Sequence, residues 1–117
     1  SGTFFLPRLI GFQKASALMM LGDKITATDA ERMGMIYKVF PDNTFKEESI
    51  KIAATLAALP TKGLSFIKQA LNNSLFNNLE QQLQIEDELQ QKAASTYDFK
   101  EGVQAFLEKR QPNFKGG

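Results

Sequence analysis

Only one segment of the chain has the pattern of a β-strand, and this limits the fold more than any other feature. In IYKVFP, residues 36–41, large apolar residues alternate with Lys38 before Pro41 closes the segment. A strand needs a partner for its backbone hydrogen bonds, and no second segment of this quality is present in the 117 residues. The sequence therefore predicts an all-α fold with about five to six helices and one short extended segment.

Helical spacing and capping residues predict where the first helices lie. Pro7 fits a first helical turn, and apolar residues continue at helical spacing before Gly22, which predicts a helix over roughly residues 7–21. A short helix follows before Gly34. Two pairs have the spacing of a capping box at its start: Thr26 with Asp29, and Thr28 with Glu31.

Four further helices are predicted after Pro41. The first runs from Asn43 to Pro60 and is expected to bury a broad apolar face that includes Phe45 and Ile50. The other three are predicted over residues 61–75, 79–97 and 98–110. No repeat or flexible linker separates them, so residues 1–117 are predicted to form one domain.

Composition excludes several classes of function. Fourteen basic and thirteen acidic residues give a net charge of +1, so we expect no nucleic-acid or membrane partner. The absence of histidine and cysteine removes disulfides, thiolate nucleophiles, imidazole bases and the commonest zinc ligands, and no metal site is predicted. No apolar run reaches the ~20 residues that a transmembrane helix needs, so a cytoplasmic location is expected.

The remaining charged residues give no catalytic group. Glu86, Asp87 and Glu88 are consecutive on a predicted helix, where neighbours point about 100° apart, so they are interpreted as solvated charge. Arg8 is interpreted either as a partner for a carboxylate or as a solvent-facing cation.

In the last helix Val103, Phe106 and Leu107 have the spacing of a packed face. From pattern alone, Phe106 is more typical of a core residue than of a ligand contact.

Three segments together resemble the C-terminal half of the crotonase family, the enoyl-CoA hydratases and isomerases. They are SGTFFLPRLIG, ALMMLGDKITATDAERMGMIYKVFP and DFKEGVQAFLEKRQPNFKG, in that order. The opening SGTFFLPRLIGFQKA, with Phe5 and Pro7, is similar to the phenylacetate-degradation isomerase branch. The resemblance implies that the chain is the C-terminal helical oligomerisation region of a crotonase-like α/β spiral fold, whose N-terminal spiral core is absent.

The family's chemistry sets expectations for activity and assembly. Crotonases polarise a thioester carbonyl with two backbone N–H groups and move protons with one or two acidic side chains. In the family these groups precede the position of Ser1, so a C-terminal fragment of this kind is expected to be inactive alone. The family also implies a parent that forms trimers or hexamers, and we expect the fragment to form a dimer or higher oligomer.

The resemblance also implies a role for the end of the last helix. In related hydratases an aromatic residue and a lysine at the positions of Phe106 and Lys109 contact the adenine and phosphate part of coenzyme A. Coenzyme A enters as part of the acyl-CoA substrate, and no other cofactor is expected. On a helix these residues, three apart, would share one face. The alternative is a stand-alone, non-enzymatic helical interaction module.

Overall fold

The computed structural model describes residues 2–117, and Ser1 lies outside the described residues. Over the described range the chain is all-α, with seven helices and no strand, which confirms the predicted fold class. The helices are α1 (Gly2–Ile10), α2 (Phe12–Leu21), α3 (Ala27–Arg32), α4 (Phe45–Ala57), α5 (Thr61–Ser74), α6 (Leu79–Ala94) and α7 (Tyr97–Glu108). They form two compact units, the first ending at Glu48 and the second running from Ser49 to Gly117.

In the first unit, the helix predicted over residues 7–21 is two helices, so that prediction is wrong in detail. Gly11 has φ 83°, outside the helical region, and separates α1 from α2. A residue with a positive φ breaks a helix, and glycine adopts such a φ at little cost. The Gly11 N–H still donates to the Pro7 carbonyl at 2.9 Å, and α1 packs against α2. The predicted stop at Gly22 is confirmed by its left-handed conformation.

The remainder of the first unit is a short helix, a connection and the first turn of α4, whose other residues belong to the second unit. The Thr26 side chain accepts a hydrogen bond from the Asp29 N–H, so Thr26 is the cap of α3. A Cβ atom at Gly34 would lie 3.6 Å from the Leu9 carbonyl oxygen, and Gly34 has φ 81°, which places the turn after α3 beside α1. Residues 36–41 form no strand, because the described chain contains no second strand to pair with them.

In the second unit, α5 and α6 pack against each other and α7 follows directly. The Gln82 side-chain amide donates to the Ala70 carbonyl at 3.1 Å, which ties α6 to α5. Asn78 and Gln81 form a complete capping box at the start of α6. Helix α6 ends at Ala94, earlier than predicted, because the Thr96 side chain caps the next helix by accepting from the Phe99 N–H.

Both units bury few apolar residues. Among residues 2–117, the buried apolar residues are Ile10, Ala15 and Ala30 in the first unit and Leu89 and Ala105 in the second. The prediction that α4 buries Phe45 and Ile50 is wrong for this chain, because both side chains are more than half exposed. An amphipathic helix without a cover leaves its apolar stripe in water, so these faces lack a partner within the described residues.

No single helix among the described residues is long and apolar enough to cross a membrane. Helices α4 and α5 meet the criteria of length and composition only as a bent pair.

Candidate functional site

The second unit contains an apolar cavity beside α7. Its volume is about 400 Å³, within the range of small-molecule sites. The residues that line it include Pro60 before α5, the α7 residues Phe99, Val103, Phe106 and Leu107, and Phe114 from the C-terminal tail. We call it the α7 cavity. Its lining is almost wholly apolar, which suits the flat, hydrophobic part of a ligand.

Phe106 is at the open edge of the α7 cavity rather than in the core. Its side chain is 83% exposed, although its spacing in the sequence is more typical of a core residue. Ala105, its neighbour, is the buried residue of this turn. The ring of Phe106 is therefore available to a ligand within this chain.

Lys109 lies just beyond α7, because the helix ends at Glu108 and not at residue 110 as predicted. With φ 55°, Lys109 is the one non-glycine residue of the described chain in the left-handed region. Its N–H donates to the Phe106 carbonyl at 3.2 Å, and the Arg110 N–H donates to the Ala105 carbonyl at 3.0 Å. These two bonds form a Schellman motif with Lys109 at the position that glycine usually occupies.

This turn changes the geometry expected from helical spacing. Because Lys109 is not helical, the shared helix face predicted for Phe106 and Lys109 does not hold. The two residues are joined by the Schellman hydrogen bond instead, and Lys109 is exposed outside the cavity lining. The structure thus places an aromatic ring and a cation at the same end of α7, one at the cavity edge and the other on the turn that follows it.

Arg110, the residue after Lys109, is neutralised by two carboxylates. Its guanidinium binds both oxygens of Glu101, at 2.6 and 3.0 Å, and one oxygen of Glu108 at 2.5 Å. Lys109 forms no ion pair with any residue in the described range 2–117. Lys109 is therefore the cation at this helix end that remains available to an anion.

Glu101 also holds the C-terminal tail, since one of its oxygens accepts the Asn113 N–H at 2.7 Å. The bonds from Arg110 and from Asn113 lower the pKa of Glu101 from 4.5 to about 2. A carboxyl whose pKa is lower in the folded state stabilises that state above its unfolded pKa. This contribution is lost as the pH falls from about 4.5 towards 2.

We therefore expect the tail to loosen in acid. The hydrogen-exchange protection of the Asn113 amide, corrected for its intrinsic rate, should be constant above about pH 5 and fall as the pH approaches 2. Glu101→Gln should remove this pH dependence. As a control, Glu88→Gln should leave it intact, because Glu88 accepts only from Gln84 within α6. Protection that is unchanged between pH 5 and pH 2 in the wild type would contradict the assignment.

Asp98 is a second anchor that the sequence analysis did not single out. Its side chain is 2% exposed, and its two oxygens accept the N–H groups of Lys115 at 2.7 Å and Gly116 at 2.8 Å. The Asp98 N–H in turn donates to the Gly117 carbonyl at 3.1 Å. The sequence contains one indication of this anchor. Asp98 and Glu101 are three residues apart in the last helix, and a short tail that ends in two glycines follows them.

The other charged residues considered from the sequence lie outside this site. Each member of the acidic run in α6 is exposed and accepts from a glutamine amide of the same helix. Arg8 donates to the Phe4 carbonyl at 2.8 Å, and its guanidinium lies 3.8 Å from the centroid of the Phe4 ring. Within residues 2–117, no group of three or more acidic side chains is placed to hold a metal ion.

Comparison with known proteins gives consistent relatives over the whole chain. The family described as enoyl-CoA hydratase/isomerase matches residues 1–117. The chain is 43% identical to the 1,2-epoxyphenylacetyl-CoA isomerase of Escherichia coli K12, over 98% of this chain and 44% of that protein. It is 37% identical to the 2,3-dehydroadipyl-CoA hydratase of the same organism, over 98% of this chain and 45% of that protein.

A solved structure of an enoyl-CoA hydratase agrees with these sequence matches. The chain superposes on the enoyl-CoA hydratase of Bacillus anthracis with a TM-score of 0.93 and 36% identity, over 99% of this chain and 45% of that one. The chain therefore spans less than half the length of the relatives it matches.

Proposed function

The chain belongs to the enoyl-CoA hydratase/isomerase family, and on that basis we propose that residues 1–117 are the C-terminal helical region of a subunit that acts on acyl-CoA thioesters. In this proposal the region supplies an oligomerisation surface and part of the coenzyme A site. The acyl chemistry takes place on groups outside this region. The exposed ring of Phe106 beside an apolar cavity is the observation that carries the proposal.

Phe106 and Lys109 have the chemistry that the nucleotide end of coenzyme A requires. An exposed phenyl ring provides a stacking surface for adenine, and the apolar cavity beside it can take the edge of a planar base. The C-terminal end of a helix carries partial negative charge, which by itself repels phosphate. The ammonium of Lys109 offsets this repulsion, since the charge of Arg110 is already taken by Glu101 and Glu108.

The acidic residues near the cavity are not suited to proton transfer. Asp98 is the acidic residue among those that line the α7 cavity, and both its oxygens accept backbone N–H groups of the tail. Glu101 is held by Arg110 and Asn113. A general acid or base must reach the proton that it transfers, so we infer that these carboxylates are structural and that the chain alone does not catalyse.

The uncovered apolar faces support the assembly part of the proposal. Helices α4 and α5 contain no buried residue, although both have an apolar stripe. Exposed stripes of this kind are typical of surfaces that pack against another chain or domain. We propose that they are covered by the remainder of the subunit and by like subunits, and that the isolated region forms a dimer or higher oligomer.

For the acyl group, we propose a ring-derived thioester and an isomerisation. The 43% identity to an isomerase named for epoxyphenylacetyl-CoA supports this, as does the SGTFFLPRLIGFQKA segment. Hydration is the second candidate, because the 2,3-dehydroadipyl-CoA hydratase is 37% identical.

A comparison of the 117-residue chain with the product of its whole reading frame tests this proposal. The longer protein should hydrate or isomerise enoyl-CoA thioesters, whereas the chain alone should not exceed a buffer control. Light scattering of the same samples should show the chain as a dimer or larger. The non-enzymatic interaction module would be favoured if the upstream sequence were unrelated to an acyl-CoA enzyme, or if the reading frame encoded no residues beyond these 117. Turnover by the purified chain would refute its predicted inactivity.

A further inference from the structure

The last seven residues of the chain form a strap against α7. Residues 111–117, which we call the C-terminal strap, follow the turn at Lys109 and contain no helix or strand. The strap nevertheless has fixed bonds to α7. Asp98 accepts from Lys115 and Gly116, and Glu101 accepts from Asn113, at distances of 2.7 to 2.8 Å. Both carboxylates thus bind the backbone of the strap.

Two further contacts place the strap beside the first residues of α7 and of α5. The Lys115 ammonium lies 4.9 Å from the centroid of the Tyr97 ring at the start of α7. Gly116 has φ 75°, and a Cβ atom there would lie 3.3 Å from the Thr61 hydroxyl oxygen, so the strap also approaches the start of α5. A side chain at Gly116 would be strained both by this contact and by its left-handed backbone.

The strap carries one aromatic residue, Phe114, into the α7 cavity. A Cβ atom at Gly102 would lie 3.6 Å from the Phe114 ring, an ordinary van der Waals distance, so this ring lies directly beside α7. Phe114 and Phe106 line the same cavity. The wall that Phe114 provides exists only while the strap is bound, because Phe114 belongs to no helix.

We propose that Asp98 and Glu101 are positioning residues for the coenzyme A site, because they hold the strap so that Phe114 forms one wall of the α7 cavity beside Phe106. This inference rests on the proposed function, and it adds residues that contact no ligand themselves. Asp98 holds the end of the strap on one side of Phe114, and Glu101 holds Asn113 on the other. The adenine ring is the part of the ligand that this wall would face.

Steady-state kinetics of the full reading-frame protein, combined with hydrogen exchange of the strap, test the inference. Asp98→Asn should raise the exchange rate of the Lys115 and Gly116 amides, since one carboxylate oxygen becomes an amide donor. The KM for acyl-CoA should then rise by about fivefold or more, the lower end of a lost stacking contact, with kcat unchanged. Phe114→Ala should raise KM in the same way without altering the backbone bonds of the strap, and Phe114→Tyr should restore it.

Two negative results are distinguishable. If Phe106→Ala raises KM while Phe114→Ala and Asp98→Asn do not, the strap has no positioning role and the proposed function stands. If Phe106→Ala also leaves KM unchanged, the proposed coenzyme A contact is wrong and the inference is overturned with it. Should Asp98→Asn fail to fold, Glu101→Gln tests the same role, because it weakens the bond to the Asn113 N–H on the other side of Phe114; it should raise both the exchange rate of that amide and the KM. Glu88→Gln, on the exposed face of α6, is the control and should change neither KM nor exchange.

Discussion

Asp98→Ala is expected to lower the free energy of unfolding by about 2–3 kcal/mol, a large loss for one substitution. The substitution removes a buried carboxylate that accepts two backbone N–H groups, from Lys115 and Gly116. A hydrogen bond to a charged group contributes about 1.5–3 kcal/mol. The loss is smaller than the sum of two such bonds, because a released strap can bond to water. Urea denaturation followed by circular dichroism at the helical signal measures the effect.

The matched control is Asp87→Ala. Asp87 is exposed on α6, and its carboxylate accepts only from the Gln91 side chain of the same helix. Its removal should change the free energy of unfolding by no more than about 0.5 kcal/mol, as is usual for surface positions. A loss for Asp98→Ala that is no larger than the loss for the control would show that the strap contributes little to stability.

The helices that could be predicted are those whose ends are set by local chemistry. Gly22 was expected as a helix stop, and Thr26 was one of two candidate caps beside Thr28; the structure has Gly22 and Thr26 as caps. The break at Gly11 was missed because apolar periodicity continues through it, and periodicity does not report a single residue with a positive φ. The apolar face of α4 was recognised, but an amphipathic pattern indicates only that the face is buried against some other apolar surface. It does not say that this surface belongs to the same chain.

The candidate site was predictable only in part. Phe106 and Lys109 were proposed only through resemblance to a family, since an aromatic residue at helical spacing is more often buried. The left-handed turn at Lys109 could not be predicted, because glycine is the usual residue there. The bonds from the strap to Asp98 were also missed. Their donors are backbone N–H groups, which every residue except proline possesses, so they leave no pattern in the sequence.

Phe106→Ala is expected to weaken acyl-CoA binding by about 1–3 kcal/mol, equivalent to a rise in KM of about 5- to 150-fold. Turnover number should change little, because a contact to the nucleotide end is made equally in the ground state and the transition state. Stability should change by no more than about 0.5 kcal/mol, since the ring is 83% exposed and fills no core position. Kinetics and thermal melts of the full reading-frame protein measure both quantities.

Phe12→Ala is the control for this substitution. Phe12 is 79% exposed, at the start of α2, so its removal deletes a similar exposed aromatic surface elsewhere in the chain. It should leave the KM for acyl-CoA unchanged. A large fall in melting temperature for Phe106→Ala, with KM unaltered in the folded protein, would assign Phe106 to packing and remove it from the ligand site.

If the end of α7 binds the nucleotide part of coenzyme A, as we propose, a substrate that lacks the nucleotide shows this most directly. The measurement compares kcat/KM for an enoyl-CoA with kcat/KM for the same acyl group on pantetheine, which lacks the nucleotide, in wild type, Phe106→Ala and Lys109→Gly. Lys109→Gly removes the ammonium and suits the left-handed backbone at that position, so a loss of affinity cannot be ascribed to a strained turn. We predict that both variants lower kcat/KM for the enoyl-CoA by about fivefold or more and leave it unchanged for the pantetheine thioester. Equal losses with both substrates would contradict the account, because they would show that these residues act on the protein and not on the nucleotide.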